Sequence, residues 1–314
     1  MLELDKQSVV DKSLPLQEWE GPLEYESNDA YHADKEYLSS SDLKLALTNM
    51  MKFEHFVVRG NKKETTERLE MGTLAHDVNL EGGLSRFVVM PDFKPEKKLT
   101  KKAQVEDFEA QHKSKTIITK AQYDTLSGMH NQFYANKTIK HYMSHHDVHI
   151  EQAYRYLDVK TGMQCKFRPD IMIPSEGIII DYKTCADASE YGFRKAIARY
   201  YYHLSAVHYL IGATRVFGKP FSQFIFIAQE KEPPYCVGLW RLSKHDIKRS
   251  SKMRRELLVK IREAIATNSF PDYSNGKVMD IYPPDYAYEI PTAGEQHGKT
   301  GTRNEVAASD GVSL

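Results

Sequence analysis

Residues 178–180 are three consecutive isoleucines, and the run stops abruptly at Asp181-Tyr182-Lys183-Thr184. A continuous β-branched stretch of this kind is the pattern of a strand buried on both faces. A carboxylate at the end of such a strand must be paired, solvated or bound to a metal. Residues 166–173 form a second strand-like run, and Pro174-Ser175-Glu176-Gly177 between the two is turn chemistry. Side chains alternate across a strand, so Asp181 and Lys183 share a face, and an antiparallel hairpin can bring Asp170 to it. Asp181 and Lys183 alone would be satisfied as an ion pair at a strand end. With Pro169-Asp170 at hairpin spacing, the pattern becomes two acids and an ammonium in one patch. Oxygen ligands of this type hold magnesium, and a neighbouring lysine can orient or deprotonate a water.

The order of the remaining elements predicts an α/β fold with a mixed central sheet flanked by helices. Three strand-like runs, residues 148–157, 163–173 and 178–184, read as a meander. Residues 221–229 and 235–242 read as two further strands. Helical spacing is found at Leu43, Leu47, Met50 and Phe53, with Ser39–Ser41 placed to cap the helix. Further helices are expected over 66–81, 121–141, 188–211 and 245–268. Residues 91–115 are Lys-rich and weakly periodic, which reads as a surface loop or lid. Residues 1–36 hold ten acids against three bases and are expected to form an arm. Residues 291–314 lack periodicity and are expected to be disordered.

Charge does not announce a partner. Lys and Arg total 43, as do Asp and Glu, so a nucleic-acid enzyme would have to gather its basic residues locally. The three cysteines, Cys165, Cys185 and Cys236, are scattered and odd in number. They argue against a disulfide framework and exclude a four-cysteine iron–sulfur cluster within one chain. No apolar run approaches eighteen residues and no signal-peptide pattern opens the chain, so no membrane is expected and a cytoplasmic location is.

Other candidate residues carry two readings each. His76 shares a helix face with Gly72 and Asn79, and is either a hydrogen-bonded histidine or a metal ligand. Glu151 is either a solvated strand glutamate or a further carboxylate of the metal site. Lys195 and Arg199 share a helix face that follows Lys183, and serve either as a solvated basic face or as phosphate contacts. His141, His145, His146 and His149 lack thiol partners at zinc spacing.

Pro169-Asp170 followed by Asp181-Tyr182-Lys183 resembles the PD-(D/E)XK nuclease signature. Gly72-Thr73-Leu74-Ala75-His76, with Asn79-Leu80-Glu81, is similar to the helix preceding the nuclease core in RecE and RecB relatives. Leu38-Ser39-Ser40-Ser41-Asp42-Leu43-Lys44 resembles the opening helix of RecE-type exonucleases, and residues 228–235 resemble a strand end of that group. The match spans roughly residues 36–290 and is nearest to the nuclease domain of exodeoxyribonuclease VIII, with lambda exonuclease more distant. The resemblance implies an exonuclease domain over 37–290. It implies a 5′-to-3′ activity on linear double-stranded DNA that leaves 3′ overhangs for recombination beside a single-strand-annealing protein. It also implies a homo-oligomeric ring and two Mg²⁺ per active site, with Mn²⁺ as a substitute. Asp170 would bridge the metals, Asp181 and the Tyr182 carbonyl would complete one site, and His76 with Glu151 would support the other. Lys183 would position or activate water. Relatives carry a Gln-x-x-x-Tyr pattern on the following helix; here Ser205 replaces the glutamine and Tyr209 follows. Another nuclease of the superfamily, such as an endonuclease, and a non-catalytic DNA-binding protein are the alternatives.

Overall fold

The computed structural model describes residue 23 and residues 28–61, 70–94 and 100–288. The tail 291–314 and most of the acidic segment before residue 28 lie outside the described residues. Two units are distinguished, residues 1–273 and 274–314. In the second, the described residues form a turn and a short 3-10 helix, Asp285–Tyr288.

The first unit opens with α1 (Asn28–Ala33), within the stretch read as an arm. Its Tyr31 is buried, and the Tyr31 and Asp34 carbonyls accept the Lys166 ammonium. Helix α2 (Ser40–Thr48) starts at a capping box in which Ser39 and Asp42 satisfy each other's backbone N–H groups. Asn49 ends α2 and caps α3 (Met50–Phe53), which runs into a π-helical turn, Glu54–Val58. Helix α4 (Glu70–His76) likewise continues as a π-helical turn, Asp77–Gly82. The expected helix over 66–81 is therefore present where it is described; its first residues fall outside.

Strand β1 (Phe87–Val89) pairs in parallel with β2 (Thr116–Ile118). Between them lies α5 (Lys101–Gln111), capped by Thr100. This corrects the reading of 91–115 as a loop. The helix buries none of its residues, so it has no apolar stripe to betray it. Residues 121–141 form two helices, α6 (Lys120–Ala135) and α7 (Lys137–Met143), because the Asn136 side chain caps a new helix as the first ends.

The predicted meander also divides. Strand β3 (His149–Ile150) pairs with β6 (Ile171–Ile173), while β4 (Tyr154–Asp158) pairs with β5 (Met163–Phe167) in a separate two-stranded sheet. The chain leaves one sheet for the other at two places. One is Glu151, whose φ is +52°. The other is Arg168-Pro169-Asp170, where proline offers no N–H to continue a ladder. The main sheet has the order β3-β6-β7-β8-β9, with β7 (Ile178–Cys185) central. Strand β8 (Gln223–Glu230) is parallel to β7, and β9 (Val237–Arg241) is antiparallel to β8. Between β7 and β8 the expected single helix is two, α8 (Glu190–Arg199) and α9 (Tyr202–Phe217), split where Tyr201 takes φ +51°. Helix α10 (Lys244–Thr267) closes the unit.

A mixed α/β sheet with helices on both faces is thus the architecture. Strand alternation divides the core in two. Ile179 of β7 joins Phe224, Phe226 and Ala228 of β8 on the face covered by α2, α9 and α10. Ile178, Ile180 and Tyr182 join Ile225 and Ile227 on the face covered by α4, α6 and α7. Each isoleucine so buried contributes about 1.5–3 kcal/mol, and the doubly covered strand is the rigid element on which its C-terminal residues are carried.

The first core contains one charged network. Arg254, 2% exposed, donates to Asp158 Oδ2 (2.6 Å), the Tyr156 hydroxyl (2.6 Å) and His208 Nδ1 (3.2 Å). His208 Nε2–H donates to the Lys166 carbonyl at 2.9 Å. Burial, with the Arg254 charge adding to it, holds the His208 imidazole neutral down to about pH 3. The unfolded chain takes up that proton near pH 6.5, so folding stability falls as pH drops from about 6.5 toward 3. Between pH 6.5 and 5, above the ordinary carboxylate range, His208→Gln is expected to flatten the stability profile measured by urea unfolding. His32, His130 and His203 are also lowered, and the raised His76, Asp77 and Asp181 act with the opposite sign, so the test is the change in slope on substitution. An unchanged slope would contradict this assignment.

Candidate active site

Strand β7 emerges from its buried centre as Asp181-Tyr182-Lys183. Asp181 and Lys183 share the face of Ile179, and the Tyr182 ring turns to the other core. The Lys183 ammonium lies 2.8 Å from Asp181 Oδ2, 3.1 Å from the Tyr182 carbonyl and 3.6 Å from Asp170 Oδ2. Asp170 is itself anchored on β7. Ile171 pairs with Ile180, so continuing the ladder would set Pro169 opposite Tyr182. The chain turns away there instead, and the Asp170 carboxylate accepts the Tyr182 N–H at 2.6 Å.

His76, the last residue of α4, reaches the same place from the other face. Its Nδ1 is 3.8 Å from Glu151 Oε1 and 3.9 Å from Asp170 Oδ2. Glu151 follows β3, its N–H donates to the Asp170 carbonyl (3.1 Å), and its Oε2 is held by Arg168 Nε (3.1 Å). One ligand atom each from His76, Glu151 and Asp170 lie within 4.8 Å of one another. Atoms that share a cation at 2.0–2.6 Å are at most about 4–5 Å apart, so the spacing fits a metal ion. Carboxylates with a main-chain carbonyl nearby suit magnesium or manganese.

The electrostatics agree. Burial and the Asp170 charge push the Asp181 carboxyl up, against the pull of Lys183. Burial would lower Lys183 and His76, but Asp170 and Asp181 hold the lysine above its ordinary value, and Asp170 and Glu151 do the same for the histidine. Three acids are thus crowded against one ammonium and one guanidinium, a concentration of negative charge that a divalent cation relieves.

A buried network on the α4 side of the sheet ties the turn after His76 to β7 and β8. Tyr182 donates to Gln229 Oε1 (2.7 Å) and accepts from Asn79 Nδ2 (3.0 Å), and Gln229 donates to the Met129 carbonyl (2.8 Å). The His76 and Tyr182 rings are in edge contact, 4.9 Å between centroids. Gly72 also faces β7, but a Cβ there would meet Thr184 Oγ1 only at 3.5 Å, an ordinary contact. Helix–strand approach does not therefore require glycine at this position.

The structure brings Asp170, Asp181, Lys183, the Tyr182 carbonyl, His76 and Glu151 together. Tyr209 borders them: its hydroxyl accepts from Ser40 (3.4 Å), and burial and then the Asp181 charge push it up. Ser205 is buried within α9. Lys195 and Arg199 are exposed on α8, outside the cluster. Two residues had no role assigned from sequence. Arg168 holds Glu151, and the half-buried Lys44 sits 5.1 Å from the Tyr202 ring centroid, lowered to about 8 by burial. His145 and His149 take separate partners, Glu176 (3.3 Å) and Asp147 (3.4 Å).

The fold is that of a PDDEXK-like domain. The sequence matches the model of the PDDEXK-like domain of unknown function DUF3799 over residues 39–279, and the chain belongs to this family. No curated protein matches it. A crystal structure from Eubacterium rectale, described as a "putative exonuclease", superposes with a TM-score of 0.56 at 15% identity, covering 84% of this chain and 98% of that one. At this identity the likeness is one of fold.

Gln229→Met keeps the volume but leaves the Met129 carbonyl and part of the Tyr182–Asn79 network without a partner. It is expected to destabilise the protein by about 1–3 kcal/mol in denaturant unfolding. A change below about 0.5 kcal/mol would show that the network does not hold the turn after His76 to the sheet.

Proposed function

We propose that this protein is a Mg²⁺-dependent exonuclease of the RecE type, digesting one strand of linear double-stranded DNA from its 5′ end and leaving 3′ overhangs. The observation that carries the reading is the convergence of His76, Glu151 and Asp170 within 4.8 Å, beside the Asp181–Lys183 pair. Asp170 would serve two ions, His76 and Glu151 one of them, and Asp181 with the Tyr182 carbonyl the other; Mn²⁺ would substitute. Bound metal supplies Lewis-acid stabilisation of charge on the attacking and leaving oxygens. The ammonium of Lys183 has three donors. Asp181 and the Tyr182 carbonyl take two, and the third is left to hold a water or a phosphate oxygen. Arg168 keeps Glu151 aimed into the cluster.

A neutral chain acting on a polyanion needs its basic residues gathered. A homo-oligomeric ring with a basic channel meets that need, and Lys195 and Arg199 are candidates for phosphate contacts; Ser205, buried within α9, is not one, and Tyr209 lies at the edge of the cluster. In this reading the protein works in the cytoplasm beside a single-strand-annealing protein. Among the described residues, no helix is long and apolar enough to cross a membrane.

The test is digestion of end-labelled linear duplex by the purified protein with Mg²⁺. Asp181→Asn and Lys183→Met are each expected to lower the rate by at least about 10²–10³-fold with the circular dichroism spectrum unchanged. Covalently closed circular duplex should stay intact. Cutting of the circle would make the enzyme an endonuclease, and full activity in either variant would remove the site assignment.

A further inference from the structure

The interruption between α8 and α9 creates an aromatic surface beside the site that hydrolysis itself does not use. Tyr200 caps the end of α8, Tyr201 turns left-handed at φ +51°, and Tyr202 opens α9. Left-handed backbone is costly for a side chain of this size, so the break needs a compensating arrangement. The break places two rings against each other. Tyr200 and Tyr202 stack at 5.5 Å between centroids, 30° apart. Tyr202 is supported from within by Phe226 of β8 at 6.1 Å and Phe193 of α8 at 6.2 Å. The ammonium groups of Lys44 and Lys183 lie 5.1 and 5.8 Å from its centroid. Tyr200 is the outer ring, 50% exposed, with the Arg199 guanidinium 5.6 Å from its centroid.

A continuous path therefore runs from Lys183 through Tyr202 to a half-exposed ring at the surface. An exposed aromatic on a rigid aromatic base, flanked by cations, is the arrangement on which unpaired bases stack. A protein partner would call for a broad apolar patch; here the exposed ring is bordered by Arg199 instead.

We propose that Tyr200, seated on Tyr202, stacks a base of single-stranded nucleic acid at the mouth of the site, with Arg199 contacting the adjoining phosphate. This rests on the nuclease reading and deepens it: the strand presented to Asp181 and Lys183 is unpaired at that point, and one of its bases is clamped. Tyr200 is a positioning residue and takes no part in bond cleavage.

The test is binding of a fluorescein-labelled oligodeoxythymidylate in metal-free buffer, where hydrolysis plays no part, so the result stands apart from whether the protein cleaves DNA. Tyr200→Ala is expected to weaken binding about tenfold. Tyr200→Phe, which keeps the ring, should stay within about twofold, and Tyr200→Leu, which keeps apolar area without a π face, should resemble the alanine variant. A blunt duplex of equal length, whose bases are already stacked, should lose less. With magnesium and linear duplex, Tyr200→Ala should raise KM more than it lowers kcat. Three results would each overturn the proposal: alanine binding as tightly as the wild type, phenylalanine losing as much as alanine, or equal losses on single strand and duplex.

Discussion

The site depends on a carboxylate that replaces a missing rung of a β-ladder. Strand β6 pairs with β7 only as far as Ile171–Ile180, and Pro169 takes the chain away before it can face Tyr182. The Tyr182 N–H would be left without an acceptor, and a buried donor in that state costs about 1–3 kcal/mol. Asp170 Oδ2 takes it at 2.6 Å. The same bond holds the carboxylate between the Lys183 ammonium and the His76 imidazole. Sheet termination and assembly of the His76–Glu151–Asp170 cluster are therefore one event. The proline and the aspartate are adjacent because one creates the vacancy and the other fills it.

Around that bond, the two cores supply the two halves of the cluster. Asp181 and Lys183 project with Ile179 toward the face covered by α2, α9 and α10. His76 comes from α4, whose Leu74 and Ala75 pack in the opposite core. The cluster can form only at the sheet's end, where both faces meet. The Tyr182–Gln229–Asn79 network fixes the helix end that carries His76 to the sheet, because Tyr182 is on β7, Gln229 on β8 and Asn79 on the π-helical turn after His76. Widening of a helix to a π turn is frequent at functional sites.

What was legible in the sequence was local. The isoleucine run, the strand alternation and the turn at Pro174–Gly177 are sufficient to put Asp181 and Lys183 on one face and Asp170 nearby. The Ser39 cap and the apolar stripes of α2 and α10 are equally local. The departures come from single residues that leave no pattern. Tyr201 breaks a helix with neither glycine nor proline, and Asn136 ends one helix by capping the next. Glu151 redirects a strand through a left-handed turn that its residue type does not favour. Helix α5 has no buried face and hence no periodicity to find. Arg168 and Lys44 owe their positions to Glu151 and Tyr202, partners brought near only by the tertiary fold, which spacing along the chain does not encode.

Whether His76, Glu151, Asp170 and Asp181 hold divalent cations is decided by where a metal binds. Crystals soaked in Mn²⁺ should give an anomalous peak bounded by His76, Glu151 and Asp170, with a second beside Asp181 and the Tyr182 carbonyl. Manganese found elsewhere in the chain, or no manganese at these residues at concentrations that saturate a nuclease site, would contradict the account.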